Sequence, residues 1–190
     1  MENIKLVPLK QEDLKQIWVD GYSEQSPDWK QYDAPFIDDY HSFETAHHLI
    51  VSSLGNYLQS DAVRGIVVKD QIIGIVSRHW IDYKTRWLEV GIVIYQAKNR
   101  GHHFGIKALS QWITETFESN KGIQYLGLTT WSGNKAMIQT AEKIGLLKMA
   151  HIPRVIYWND EYYDHLKYGV LREDWFDVEK TQKSTKKHLE

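Results

Sequence analysis

The chain has 190 residues, enough for a single domain with a substantial core. Its 42% hydrophobic and 25% charged residues are those of an ordinary globular protein, and a formal net charge of −2 offers no concentrated basic surface for nucleic acid. No apolar run approaches a membrane span, Met1-Glu2-Asn3 does not open a signal peptide, and the lack of cysteine removes disulfides, thiol nucleophiles and thiolate metal sites, so a cytoplasmic protein is expected.

In chain order, Ile4–Pro8 reads as a short strand and Gln11–Tyr22 as a helix with Leu14, Ile17, Trp18 and Gly21 on one face. Residues Ser23–Tyr40 are turn-rich, acidic and aromatic. Ser42 can cap a second helix carrying Phe43, Ala46, Ile50 and Leu54. Val63–Lys69 and Ile72–Trp80 then form a hairpin around Asp70-Gln71, and Trp87–Tyr95 follows as a third strand of this meander. A helix over Gly105–Glu118, a strand over Ile123–Thr130 and a helix over Ser132–Ile144 closed by Gly145 come next. Leu146–Trp158 and Tyr162–Leu171 make a closing hairpin around Asn159-Asp160. The polar tail 177–190 has little apolar content, and Leu189-Glu190 reads as a tag scar. No repeat or internal linker divides residues 1–176, which read as one domain.

The most informative stretch is Glu89–Leu109, EVGIVIYQAKNRGHHFGIKAL. An apolar strand feeds the basic, glycine-bearing turn Arg100-Gly101-His102-His103-Phe104-Gly105, which opens a helix. Free backbone N–H groups and the helix dipole suit such a turn to an anion, phosphate above all. Aromatic side chains are abundant (eight Trp, eleven Tyr), and rings with polar tips such as Trp29 suit the wall of a small-molecule cleft or simple packing.

The turn resembles the acetyl-CoA-binding segment of the GNAT superfamily of N-acetyltransferases, usually Arg/Gln-x-x-Gly-x-Gly/Ala. Arg100 and Gly105 fill the outer positions, and His103 stands where the middle glycine is expected. The element order β-α-α-β-β-β-α-β-α-β-β is also that of this family. The resemblance therefore implies an α/β (α+β) fold with a mixed, mostly antiparallel sheet of about seven strands flanked by about four helices. Trp131–Leu146, WSGNKAMIQTAEKIGL, is similar to the family's strand-to-helix segment, with Asn134, Ala141, Lys143 and Gly145 in register and Met137 departing from it.

From the resemblance, acetyl-CoA is the expected co-substrate, bound by Ile92, Val93 and Ile94 backbone groups, by Arg100–Gly105, and by Asn134 and Lys143. Glu89 is the candidate general base for the acceptor amine, because acyl transfer needs a neutral amine. An outward-facing strand carboxylate is the other reading of that residue. The family's usual acid positions hold Ala141 and Met137, leaving Tyr157 and Tyr163, with Tyr162 and His151, as substitutes, unless thiolate departs unaided.

Glu161–Trp175 resembles the closing segment of the ribosomal-protein (RimJ/RimL-like) branch. Trp29, Asp33, Asp38 and Asp164 are candidate acceptor contacts through charge and cation–π attraction. The acceptor expected is a protein N-terminal amine or a small-molecule amine, and a silent acyl-CoA-binding sensor is the alternative from another class. Adjacent His47-His48 and His102-His103 point different ways and suggest no metal set. Surplus aromatic surface on the helices and final hairpin is compatible with a homodimer.

Overall fold

A computed structural model describes residues 3–37 and 39–177 of the chain. Seven strands form one sheet: β1 (Lys5–Val7), β2 (Val63–Val68), β3 (Gln71–Asp82), β4 (Trp87–Ile94), β5 (Tyr125–Trp131), β6 (Leu147–Trp158) and β7 (Glu161–Leu171). Their spatial order is β1-β2-β3-β4-β5-β7-β6, and every pairing is antiparallel except β4 with β5. Helices α1 (Leu14–Ile17), α2 (Ala46–Val51), α3 (Ser53–Leu58), α4 (Phe104–Ser119) and α5 (Lys135–Lys143) flank the sheet, and residues 172–177 after β7 are also helical.

Side-chain alternation along the strands divides the core in two. On one face Val76, Leu88, Val90, Leu126 and Leu128 pack with Leu109, Trp112 and Phe117 of α4 and Ala141 of α5. On the other, Val63 and Ile75 pack with Leu14, Ile17, Leu49 and Leu58 of the first three helices. Trp29, Tyr22 and Tyr95 complete that second cluster through edge-on ring contacts.

Several local features differ from the sequence reading. The first helix is not one regular rod: a 3₁₀ turn at Gln11–Asp13 leads into α1, and Trp18–Tyr22 widens into a π turn. Gly21 lies in that turn directly against the Tyr95 ring, where a Cβ would collide. The second helix is capped by Thr45 rather than Ser42, and Ser52 in extended conformation breaks it, then caps α3 with its own hydroxyl. The β2–β3 turn falls on Lys69-Asp70, whose φ values of 48° and 61° give the twist a two-residue hairpin needs. Asn159-Asp160, at 50° and 61°, turns the closing hairpin as expected.

Candidate active site

The site begins with a parting of strands. β4 pairs with β5 only at Leu88↔Leu126 and Glu89↔Gly127. Beyond Glu89, β4 stays paired with β3 up to Gly74↔Ile94, while β5 stays paired with β7 up to Trp131↔His165. Each strand follows its outer neighbour, so a slit opens through the sheet. The backbone N–H and C=O groups that would have bridged β4 and β5 face this slit.

A cavity of about 550 Å³ occupies the slit and reaches both faces of the sheet. On the α4–α5 side its wall includes Gly105, Ile106, Asn134, Met137, Thr140 and Lys143. On the opposite side it includes Trp29, Tyr32, Asp33, Phe36, Trp131 and His165.

The floor of the first half is the start of α4. The first helical bond runs from Lys107 N–H to the His103 carbonyl, 3.2 Å. The N–H groups of Phe104, Gly105 and Ile106 thus have no acceptor inside the helix. Gly101 (φ 81°) and His103 (φ 63°) both adopt left-handed conformation ahead of it. His103 therefore takes the backbone shape a glycine would take more easily, at an exposed position on the rim of the cavity.

Arg100 is held by protein rather than left free. Its guanidinium donates to the carbonyls of Ile94 (3.1 Å) and Tyr95 (2.6 Å), pairs with Asp28, and lies 4.9 Å above the Tyr32 ring. The side chain thereby fastens the turn to the end of β4 and to residues 28–32.

Residues 28–37 cross the mouth of the slit as a strap. The Tyr32 carbonyl accepts hydrogen bonds from Trp131 Nε1 (3.1 Å) and Asn134 Nδ2 (2.9 Å), and Phe36 meets the Trp131 ring edge-on. Asn134 serves two ends, since its Oδ1 also accepts from Met137 N–H and caps α5. Asp33 reaches the cavity wall. Its carboxyl is pushed above the ordinary range, chiefly because surrounding protein displaces water, with Lys30 opposing and Asp39 adding to the shift.

At the root of the slit, Glu89 is only 2% exposed. Its carboxylate accepts from Thr129 Oγ1 (2.6 Å) and Lys167 Nζ (2.7 Å), and Lys167 also donates to Thr129 (2.8 Å) and sits 5.0 Å from the Trp87 ring centre. Gly127 makes this possible: a Cβ there would press on Glu89 and Tyr125 at 3.0–3.1 Å. Glu89 is not in the cavity wall, although Val90 beside it is.

Of the residues expected to bind cofactor, Ile92, Val93, Ile94, Arg100, Gly101, His103, Gly105, Asn134 and Lys143 all border the cavity. Phe104 instead packs into the core, and His102 contacts the Lys98 carbonyl and the Phe104 ring outside the wall. Trp29 and Asp33 border the acceptor half, whereas Asp38 lies outside the described residues.

The closing hairpin is occupied differently from expectation. Asp164 accepts from His151 (2.6 Å) and Arg154 N–H (2.9 Å), bonds that hold a bulge between Ile152 and Ile156; they lower its pKa. Tyr163 bonds Glu161 and stacks edge-on with Trp131, and the exposed Tyr157 bonds Asp160. None of these three borders the cavity. His165 and Thr129 do, and the sequence reading passed over both. Their signal was positional: His165 is two residues from Lys167 on the strand face opposite Leu166.

A parted β4–β5 pair beside an open helix start is the arrangement that the resemblance to N-acetyltransferases implies, and comparison with known proteins agrees. Residues 3–147 match the acetyltransferase (GNAT) domain family, and the chain belongs to that family. It is 25% identical over 120 residues to a prophage-derived uncharacterized N-acetyltransferase of Bacillus subtilis (strain 168), covering 62% of this chain and 67% of that protein. Solved structures with the same fold include a GNAT acetyltransferase from Bacillus anthracis (TM-score 0.68, 18% identity, covering 90% of this chain and 96% of that one). Another is a spermidine N-acetyltransferase from Vibrio cholerae in complex with CoA and spermine (TM-score 0.68, 21% identity, 91% and 98% covered). The observed sheet and helices are those implied by the sequence resemblance.

Proposed function

We propose that this acetyltransferase moves an acetyl group from acetyl-CoA to a primary amine by direct transfer within the slit. The observation that carries the reading is the single cavity running through the sheet between β4 and β5. One half ends at the unpaired N–H groups of α4, suited to the pyrophosphate of CoA. The unpaired edge of β4 at Ile92–Ile94 suits the amides of a pantetheine arm, and one of its N–H groups can polarise a thioester carbonyl. The other half offers rings and one carboxylate, suited to an ammonium group on an apolar or aromatic body.

The sequence points to Glu89 for deprotonating the amine. Its place at the root of the slit keeps it close to the reacting strand, and a direct role requires Lys167 and Thr129 to release it. Thiolate departs unaided in this reading, since a thiol's reference pKa is about 8.5. The residues resembling the ribosomal-protein branch mostly stabilise the closing hairpin, so a small-molecule amine is favoured over a protein N-terminus. Leu147, Met149 and Val155, exposed on edge strand β6, support a homodimer, which sedimentation decides.

Asp33 carries the test. Asp33→Asn should raise the KM for the amine severalfold while the CoA dissociation constant stays put, measured by thiol release across a panel of amines and by calorimetry. Because neighbouring protein raises the Asp33 pKa while its side chain stays 58% exposed, the carboxylate charge should fade, and the amine KM climb, at a pH only modestly higher than an ordinary carboxylate would dictate. CoA binding without turnover on any amine would instead favour a silent acyl-CoA sensor.

A further inference from the structure

A base for the acceptor amine needs a lone pair that is unengaged and faces the amine. Glu89 fits this requirement poorly: each of its oxygens already accepts a bond from Thr129 or Lys167, and the residue is buried outside the cavity wall, so no lone pair of its carboxylate faces the amine. Asp33 faces the cavity, but a carboxylate, with a reference pKa of about 3.9, is a far weaker base than an imidazole, at about 6.5.

His165 combines the required features. It borders the acceptor half of the cavity and is half-buried. It pairs with Trp131, the last β5 residue on the slit, and with Ile152 on β6. Among the described residues, its imidazole makes no hydrogen bond or ion pair. Imidazole is also the side chain that is both neutral and appreciably basic near physiological pH.

We propose that His165 is the catalytic base that takes the acceptor's proton, an assignment resting on the amine-acetyltransferase reading above. The amine nitrogen forms a bond to the thioester carbonyl carbon, and the N–H proton passes to the free imidazole nitrogen of His165. Collapse of the tetrahedral adduct breaks the C–S bond, and the electron pair leaves on sulfur as CoA thiolate. The imidazolium then returns its proton to solvent. Ionisable groups around the ring are Asp33 on the strap, Asp164 and Lys167 on its own strand, His151 on β6, and Glu89 beyond β5. All five already have a charged partner: Asp164 with His151, Lys167 with Glu89, and Asp33 with Lys30.

The test compares wild type, His165→Gln, His165→Ala and Glu89→Gln over the pH range, with CoA affinity and melting temperature measured for each. His165→Gln should lower kcat about 100-fold, within the usual span for loss of a general base. CoA affinity should change less than about twofold, the contact being on the acceptor side. The imidazole-dependent acid limb of kcat/KM should disappear, leaving only the rise with free amine, and added imidazole should restore part of the His165→Ala rate. Wild-type turnover with an unaltered profile in His165→Gln overturns the assignment alone. So does loss of the acid limb in Glu89→Gln but not in His165→Gln. An absence of amine turnover by wild type, despite CoA binding, overturns the transferase reading and the assignment together.

Discussion

Below and above Glu89, the same strand leads two different lives. Below it, β4 is paired on both sides, and its charged residue is locked in a buried network with Thr129 and Lys167. Above it, β4 is paired on one side only, and the cavity wall is built largely from open backbone edge and rings, with Arg100 and Asn134 tied to backbone carbonyls. The lower region holds the two strands together; the upper region keeps them apart with groups free to meet a ligand. Conspicuous charge therefore marks the hinge of the site more than its chemistry.

The largest effect should come from breaking the lower region. Lys167→Met leaves the Glu89 carboxylate buried without its cation and should cost about 3–5 kcal/mol, toward the low end because Lys167 is partly exposed. Denaturant unfolding checks this. The double variant Glu89→Leu with Lys167→Met should recover most of the loss, since neither charge is then stranded. A single variant as stable as wild type would dissolve the contrast between the two regions.

A second prediction acts on the tie between the anion turn and the strap. Arg100→Ala removes donors to two carbonyls and the pairing with Asp28. CoA should bind about tenfold more weakly, in line with about 1.5 kcal/mol for a hydrogen bond to a charged group. Calorimetry should show this with the amine KM also disturbed, because the strap that carries Asp33 loses one anchor. An effect on neither would mean that the turn keeps its shape without Arg100.

The smallest effect concerns His103. Its left-handed backbone is strained for a residue with a Cβ, so His103→Gly should raise stability by up to about 1 kcal/mol, offset by the greater freedom of glycine in the unfolded chain. CoA affinity should be unchanged or improved, since the backbone then approaches a pyrophosphate more freely. Weaker CoA binding would instead give the imidazole itself a role.

Much of this was legible in the sequence because it depends on local patterns. Alternating strands, the Asn134 cap, Gly145 after α5 and the turn at Arg100–Gly105 are all short-range signals, and they convey the fold and the cofactor half of the slit. The rest depends on long-range placement. The pairing of Glu89 with Lys167 spans 78 residues and the hold of Asn134 on the Tyr32 carbonyl spans 102. Nothing in the neighbourhood of Asp164 announces that a bulge at Arg154 will claim its carboxylate. His165 was hidden for the same reason: its value lies in which strand ends beside it.

The central claim is that the parted β4–β5 pair is where acetyl-CoA and the acceptor meet. Crystals grown with CoA test it most directly. The account predicts pyrophosphate at the N–H groups of Phe104–Ile106, pantetheine along Ile92–Ile94, and sulfur in the slit within reach of the half bordered by Asp33 and His165. CoA bound elsewhere, or bound with β4 and β5 zipped together beyond Glu89, would contradict it.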